Sequence, residues 1–180
     1  SATGQFTSID PQASAVANAY ATTYHYALSR PGVLVDPAGL SAIDLMRQLG
    51  PRTRSVCGAV GYQPCLRAAL WTFTARRAAR ARFPGPGDTP SRDAYRHCIW
   101  CGGLTVLVGP KAARAFGEAH EVDVPGSQRS RQIDRYNNRV GIAYGLLVRG
   151  GRTFSAPLTQ VAELCGAALS AGILRKDTFG

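Results

Sequence analysis

The sequence predicts an all-α protein of about six or seven helices in a single compact domain. Apolar residues recur at three- and four-residue intervals over most of the chain, and prolines and glycines separate the resulting segments. The two strand-like stretches, residues 32–36 and 104–109, are too short to anchor a sheet. A chain of 180 residues with 45% hydrophobic content can bury one substantial core. We therefore expect one domain over residues 1–180, with a helical half at 1–88 and a motif-bearing half at 89–180.

Three helices are expected in the first half. Residues 11–29 carry apolar and aromatic side chains at helical spacing, and the sequence Arg-Pro-Gly ends the segment. A short helix is expected within residues 36–50, where Ser41 is a candidate N-cap and Gly50 marks the end. The third helix is expected over residues 63–83, with a proline in its first turn and arginines in its last turns.

Four further helices are expected in the second half, after a break rich in proline and glycine. The break and the four segments lie at residues 84–91, 91–109, 110–121, 127–150 and 155–174. Ser91, Ser127 and Ser155 are candidate N-caps because a serine side chain can accept a hydrogen bond from a free amide of the first turn. Pro110 and Pro157 lie where first-turn prolines are common.

The chain is strongly basic. Lys and Arg number 21 against 11 Asp and Glu, which gives a net charge of +10. The cations cluster at residues 76–82 and 129–139. A positive surface favours anionic partners such as nucleic acid or lipid headgroups, although an arginine run can also be a solvated helix face. The N-terminal residues lack the basic and apolar parts of a leader, so we expect a mature or excised part of a longer protein.

Five cysteines indicate an oxidising compartment with one or two disulfides. Cys57 and Cys65 bracket a loop with Gly and Pro that a disulfide could close. Cys98 and Cys101 form a CxxC motif, but the chain has no second CxxC to complete a four-thiolate zinc site. Cys165 is expected to be an ordinary buried thiol. The sequence leaves the disulfide pairing open.

Two predicted helices carry the same polar pattern, at positions i, i+3, i+4 and i+7. The residues are Asp93, Arg96, His97 and Trp100 in one helix and Asp134, Asn137, Asn138 and Gly141 in the other. This spacing places each set on one helix face. Apolar neighbours indicate that both helices cross the core, where an unpaired polar group costs roughly 1–3 kcal/mol. We expect the two faces to meet each other or to line a shared cleft.

His120 and Glu121 end the helix between these two segments and are expected to project towards the same cleft. The negative end of the helix dipole would favour a protonated His120. Two imidazoles and several carboxylates can act as acid and base or can bind a divalent metal ion, for which His97, His120 and Asp134 are candidate ligands. The sequence contains no HExxH, P-loop or GxSxG motif that would name the reaction.

The ordered polar residues resemble a helical domain of unknown function found in bacterial secreted and polymorphic toxin proteins. The shared pattern is D-x-x-R-H-x-x-W, then H-E, then D-x-x-N-N-x-x-G, and it covers about the middle third of the chain. In this sequence the pattern falls on Asp93, Arg96, His97, Trp100, His120, Glu121, Asp134, Asn137, Asn138 and Gly141. The resemblance implies a toxin or effector setting but carries no reaction, and Cys98 and Cys101 depart from the pattern.

The leading hypothesis is a secreted toxin or effector hydrolase that acts on envelope phospholipid or a peptidoglycan precursor. His97 is expected to be the general base oriented by Asp134, with His120 and Glu121 as acid or stabiliser. Substrate-binding roles are expected for Asp93, Arg96, Trp100, Asn137 and Asn138. The expected partners are an anionic substrate or lipid headgroup and a cognate immunity protein, without stable transmembrane insertion.

Two alternatives remain open. The +10 charge and the arginine cluster fit a nuclease acting on DNA or RNA. The polar faces also fit a non-enzymatic binding domain in which a buried network only locks helices together. We expect the protein to be secreted or delivered to the periplasm or envelope of a target cell, because disulfides persist in oxidising spaces.

Overall fold

A computed structural model describes residues 49–151 and 156–177, and over these residues the secondary structure is all α-helical. The described residues form six helices and no strand. The helices are α1 Pro51–Val60, α2 Tyr62–Arg82, α3 Pro90–Val108, α4 Pro110–Asp123, α5 Gln128–Gly150 and α6 Pro157–Ser170. None of these six helices is long and apolar enough to cross a bilayer.

The predicted all-α class is confirmed, and the helices α2 to α6 follow the predicted segments closely. Residues 104–108 belong to α3, so the strand-like stretch there is helical. Ser127 is confirmed as the N-cap of α5, where its side chain accepts a hydrogen bond from the Ser130 amide at 3.0 Å.

The predicted cap at Ser91 is wrong. Thr89 caps α3 instead, because its hydroxyl accepts from the Arg92 amide at 3.2 Å and Pro90 occupies the first helical position. The expected helix at 11–29, the strand-like residues 32–36, the candidate caps Ser41 and Ser155 and most of the segment 36–50 lie outside the described residues.

Helix α1 was not expected, since the segment before Cys65 was interpreted as a loop. Pro51 presets the backbone of its first turn. The cap comes from Asp123 at the end of α4, whose carboxylate accepts from the amides of Arg52 and Thr53 at 2.9 and 2.8 Å and from the Thr53 hydroxyl at 2.7 Å. A cap supplied from 70 residues away leaves no local pattern in the sequence.

Helix α3 is the central element and packs against α2, α4, α5 and α6. Its most extensive contact is with α5, and glycines allow the backbones of these two helices to approach closely. A Cβ at Gly141 would overlap the carbonyl oxygen of Cys98, and one at Gly145 would overlap Gly102 and Thr105. On the α2 side, the Trp71 ring occupies the space beside Gly103, and its indole N–H donates to the Trp100 carbonyl at 2.9 Å.

Two disulfides join neighbouring helices. Cys57–Cys65 links α1 to α2, and Cys98–Cys165 links α3 to α6 across 67 positions of sequence. The expectation of an ordinary thiol at Cys165 was wrong, because the α3–α6 packing brings this residue against Cys98. Cys101 is the buried free thiol, so the CxxC motif is divided between a structural disulfide and a thiol. Both disulfides fit an oxidising compartment.

The close approach of α3 and α5 makes a testable prediction at Gly141. Gly141→Ala should lower the free energy of unfolding by about 1–3 kcal/mol, because the added methyl group overlaps the α3 backbone. The matched control is Gly58→Ala in α1, where a Cβ meets nothing within 4 Å. There the change should be neutral or stabilise the protein by up to about 1 kcal/mol. Equal effects of the two substitutions in urea unfolding would contradict this packing.

Candidate functional site

The polar faces of α3 and α5 meet beside the end of α4, as the sequence predicted. His97 lies at the centre of the contact, with only 1% of its surface exposed. Asp93 precedes it by one turn on α3, Asp134 and Asn138 face it from α5, and Glu121 reaches it from α4. Three helices thus place polar side chains around one buried imidazole, and we call these residues the His97 cluster.

Hydrogen bonds fix which nitrogen of His97 carries the proton. The Arg96 guanidinium lies 3.0 Å from Nε2 and can only donate, so Nε2 must accept. Nδ1 therefore carries the hydrogen and donates to the Asn138 Oδ1 at 3.1 Å. Asn138 in turn donates from Nδ2 to the Glu121 Oε1 at 3.1 Å. These hydrogen bonds link Arg96, His97, Asn138 and Glu121 in series. Together they define one tautomer and one orientation of the His97 ring.

Two carboxylates lie beside Nε2, whose lone pair accepts from Arg96. The Asp134 Oδ1 lies 3.6 Å from Nε2, and the Asp93 Oδ1 lies 3.7 Å from it. Arg96 forms an ion pair with Asp93 on the same side. The side chains of Asp93 and Asp134 are 28% and 12% exposed, whereas those of His97 and Glu121 are 2% and 4% exposed. Asp93 and Asp134 therefore form the accessible edge of the His97 cluster.

Both histidines near the cluster are held neutral. Burial, followed by the positive charge of Arg96 and the neighbouring His120, lowers the pKa of His97 well below its ordinary value. Burial, with Arg96 and Arg76, lowers the pKa of His120 to about 4. The prediction of a protonated His120 was therefore wrong, because burial and two guanidinium groups outweigh the helix dipole at the end of α4.

The pKa values of two carboxyl groups of the cluster change in the opposite direction and are raised. Burial raises the pKa of Glu121 to about 7. Burial, the charges of Asp93 and Glu121 and a hydrogen bond with Asp93 raise the pKa of Asp134 to about 8. Without a further cation, the cluster stabilises protons on its acids and keeps its imidazoles uncharged. A clustering of such shifts is typical of functional sites, although buried structural networks produce them as well.

A cleft of about 330 Å³ adjoins the cluster. Arginines make up half of its lining, and two of the lining residues, Arg96 and His120, also lie against His97. The lining residues are Arg76, Ala79, Arg80, Asp88, Arg92, Arg96, His120 and Val124. The side chain of Arg92 is committed to the loop before α3, where it donates to the carbonyls of Phe83 and Gly85 at 2.8 and 2.9 Å. We call the remaining three arginines, Arg76, Arg80 and Arg96, the arginine cleft.

The arginines of the cleft repel one another. Burial, Arg96 and Arg80 lower the pKa of Arg76, and Asp88 offsets only part of this effect. In the described part of the chain no carboxylate forms an ion pair with Arg76 or Arg80. The sequence showed the Arg76–Arg82 cluster but gave no sign that it borders the His97 cluster, because that proximity follows from the α2–α3 packing. Like charges held together in this way favour an anionic ligand.

Two residues with expected substrate roles are engaged elsewhere. The Asn137 amide donates to the Arg175 carbonyl at 2.9 Å and accepts from the Arg175 amide at 3.0 Å, so it anchors the segment after α6 and does not reach the cluster. Trp100 is 7% exposed and donates from its indole nitrogen to the Thr72 hydroxyl at 2.9 Å. Its ring also packs edge-on against His120, with centroids 5.0 Å apart, so it supports that histidine.

Two sets of side chains in the described residues could hold a metal ion. One set is His97, His120 and Glu121, and the other is Asp93, His97 and Asp134. In each set the ligand atoms lie within 4.8 Å of one another. The trio expected from the sequence, with His97, His120 and Asp134, is not one of these sets.

A family model described as a domain of unknown function, DUF6973, matches residues 62–163, which is more than half of the chain. The chain belongs to this family. The DUF6973 match runs from α2 into α6 and includes both the His97 cluster and the arginine cleft. No curated protein and no solved structure matches the chain. The DUF6973 description names no reaction.

The shifted carboxyls predict a decrease in stability above neutral pH. Between about pH 6.5 and pH 8 the folded protein holds protons on Glu121 and Asp134 that the unfolded chain has released. The free energy of unfolding should therefore fall as pH rises through this window. Below it the neutral His97 and His120 oppose the trend, since they bind fewer protons when folded than when unfolded.

This prediction is checked by urea unfolding of chelator-treated protein at several pH values. Asp134→Asn should flatten the decrease between pH 6.5 and pH 8 and should raise stability at the alkaline end. Glu163→Gln on the exposed face of α6 is the matched control and should keep the wild-type slope. An unchanged slope in Asp134→Asn would mean that this carboxyl does not hold its proton in the folded protein.

Proposed function

We propose that this protein is a hydrolase toxin or effector that cleaves at the phosphate group of an envelope lipid, either a phospholipid or a lipid-linked peptidoglycan precursor. One observation carries the proposal: the arginine cleft opens beside a buried, uncharged histidine that faces two carboxylates. The cleft can hold an anion, and the cluster can activate water next to it. Both substrates share the phosphate chemistry that this arrangement fits.

The anion-binding half rests on the three arginines. Guanidinium groups bind phosphate oxygens through paired, charge-assisted hydrogen bonds. A phosphate between Arg76, Arg80 and Arg96 would relieve the repulsion that lowers the pKa of Arg76. It would also offset the positive charges that lower the pKa of His120. His120 would then hold a proton more readily and could give it to the leaving oxygen.

The water-activating half rests on the accessible edge of the cluster. Nε2 of His97 and the oxygens of Asp93 and Asp134 converge on one small volume, where Nε2 accepts from Arg96 until that guanidinium turns to the substrate. A water held there would bond through its oxygen to phosphorus and give one proton to Nε2 of His97, once Arg96 has turned from Nε2 to the phosphate. The bond from phosphorus to the leaving oxygen would break, and that oxygen would take a proton from the protonated His120. Asn138 and Glu121 lie on the opposite side of the imidazole, at Nδ1, and fix its orientation.

A lipid is favoured over nucleic acid by the rim of the cleft. Val124 lines the cleft and is 44% exposed, and its neighbour Val122 is 53% exposed. Apolar side chains beside a phosphate site suit a headgroup with acyl chains, whereas nucleic acid sites more often place aromatic side chains against bases. The two disulfides also fit an extracytoplasmic place of action.

The resemblance of the D-x-x-R-H-x-x-W, H-E and D-x-x-N-N-x-x-G pattern to domains of secreted and polymorphic toxins supports the toxin setting. Delivery to the periplasm or envelope of a target cell follows from that setting, and so does a cognate immunity protein in the producing cell. The arginine cleft is the surface that such a protein would most effectively cover. A nuclease remains the second candidate, because Arg76 and Arg80 would bind a nucleic acid phosphate equally well.

The function is tested by incubating the purified protein with phospholipid vesicles, lipid-linked peptidoglycan precursor, DNA and RNA, and analysing the products by mass spectrometry. Hydrolysis is expected in a lipid arm. Asp93→Asn, at the partly exposed edge of the cluster, should lower kcat by roughly 100-fold or more while the fold is kept. Glu118→Gln, an exposed acid of α4, should retain full activity. Cleavage of DNA or RNA, without cleavage of either lipid, would show that the protein is a nuclease. Absence of cleavage of all four substrates would favour a non-enzymatic binding domain.

The role of the arginine cleft has its own matched pair of variants. Arg76→Ala should raise KM by roughly 10- to 100-fold, because it removes a charge-assisted bond to the substrate phosphate. Arg77→Ala changes the adjacent arginine of α2, which does not line the cleft, and should change KM less than about twofold. Equal changes in the two variants would show that only the overall positive charge matters.

A further inference from the structure

We infer that Asp93, His97 and Asp134 form a binding site for one divalent metal ion, and that the ion displaces Arg96 from His97 into the arginine cleft. This inference deepens the proposed function and rests on it for its catalytic meaning, since the bound ion would be the group that activates water. The metal site itself is argued from geometry alone and can be tested without any substrate.

The three ligand atoms have the spacing that a metal ion requires. All lie within 4.8 Å of one another, and Nε2 of His97 is 3.6 Å from the Asp134 oxygen and 3.7 Å from the Asp93 oxygen. Ligand atoms about 2.1 Å from a tetrahedral metal ion are roughly 3.4 Å apart. The two nitrogen–oxygen distances would therefore need to contract by a few tenths of an ångström, and the two carboxylate oxygens, which lie within 4.8 Å of each other, would approach as their side chains turn. The fourth position would face the cleft, where Arg96 and His120 lie.

The imidazole is oriented as a metal ligand should be. Metal-binding histidines commonly donate the N–H of the second ring nitrogen to an oxygen that fixes the ring. Here Nδ1 donates to Asn138, and Asn138 is fixed by Glu121. This arrangement disfavours the other candidate set, His97 with His120 and Glu121, because the His97 nitrogen that lies 3.7 Å from the Glu121 Oε1 is Nδ1, which already donates to Asn138.

Arg96 holds the place of the ion in the present structure. Its guanidinium donates to Nε2 of His97 at 3.0 Å and pairs with Asp93, so it neutralises the same groups that a metal ion would bind. Arg96 also lines the cleft. A short movement would therefore transfer its charge from the carboxylates to a substrate phosphate. The ion and the anionic substrate should then favour each other's binding, since each one removes a competitor of the other.

The mixed ligand set indicates the type of ion. Imidazole nitrogen favours Zn²⁺ and related transition metals, while paired carboxylates favour Mn²⁺, Mg²⁺ and Ca²⁺. A site with one nitrogen and two carboxylate ligands is best matched by Mn²⁺ or Zn²⁺. Such an ion lowers the pKa of a bound water, which is the chemistry that the proposed hydrolysis needs.

The test is a titration of chelator-treated full chain with Mn²⁺, in which the free ion is measured by electron paramagnetic resonance. Wild type should bind one Mn²⁺ per chain. Asp134→Asn should weaken binding by about tenfold or more, since even outer-shell partners of a metal contribute roughly 10- to 100-fold. If that variant fails to fold, Asp93→Asn replaces it at the more exposed position. Glu118→Gln, outside the cluster, should bind as wild type does.

Arg96→Met distinguishes this site from a merely structural cluster. Removal of the competing guanidinium should tighten Mn²⁺ binding by roughly tenfold, whereas loss of a structural contact would weaken or not affect it. Folded wild type that binds no Mn²⁺, or Asp134→Asn and Asp93→Asn variants that both bind normally, would overturn the metal site. Unchanged or weaker binding in Arg96→Met would overturn the displacement.

Failure of the metal site and failure of the proposed function give different results. Mn²⁺ binding that depends on Asp134, combined with no hydrolysis in the lipid or nucleic acid arms, would support the metal site and overturn the hydrolase. Lipid hydrolysis that persists in excess chelator would support the hydrolase and overturn the metal ion as its water-activating group.

Discussion

The imidazole of His97 lies in the interior between α3 and α5, where both of its ring nitrogens need partners. Asn138 satisfies Nδ1 and Arg96 satisfies Nε2, at 3.1 and 3.0 Å. The glycine contacts around Gly141 hold the two helices close enough for the first of these bonds to form. The Cys98–Cys165 disulfide, one residue further along α3, ties the same segment to α6. The packing of α3 against α5 therefore fixes the orientation of the His97 ring, and the geometry of the site depends on this packing.

The electrostatics follow from that burial. A charged imidazole at this depth would lose its hydration next to Arg96, so it remains neutral, and the acids around it tend to hold protons. The positive charge is instead concentrated in the arginine cleft, on the accessible side. This separation of an uncharged, lone-pair-bearing interior from a cationic entrance is what a site for an anionic substrate needs. Arg96 links the two regions, because its guanidinium donates to His97 and also lines the cleft.

Helical spacing was enough to predict that the two polar faces meet. Asp93 and His97 on one helix and Asp134 and Asn138 on the other are one turn apart, and the two pairs do meet. The same spacing could not separate Asn138 from Asn137, because adjacent residues on a helix face about 100° apart and only the packing decides which one turns inward. Asn137 instead holds the Arg175 backbone.

The features that the sequence did not reveal are long-range ones. The Asp123 cap of α1, the Cys98–Cys165 pair and the position of Arg76 beside His120 all join residues far apart in sequence. Local propensity carries no information about such contacts. The prediction of a protonated His120 was wrong for the same reason. The helix dipole is a local effect, whereas the burial and the neighbouring arginines that lower the pKa of His120 come from the tertiary fold.

We infer that His97 is neutral, with its proton on Nδ1 and with Nε2 accepting from Arg96 beside Asp93 and Asp134. Nitrogen-15 chemical shifts of the imidazole in the chelator-treated protein at neutral pH test this claim directly, because protonated and unprotonated ring nitrogens give well-separated signals. We expect a protonated Nδ1 coupled to a slowly exchanging hydrogen and an unprotonated Nε2. A proton on Nε2, or an imidazolium with protons on both nitrogens, would contradict it.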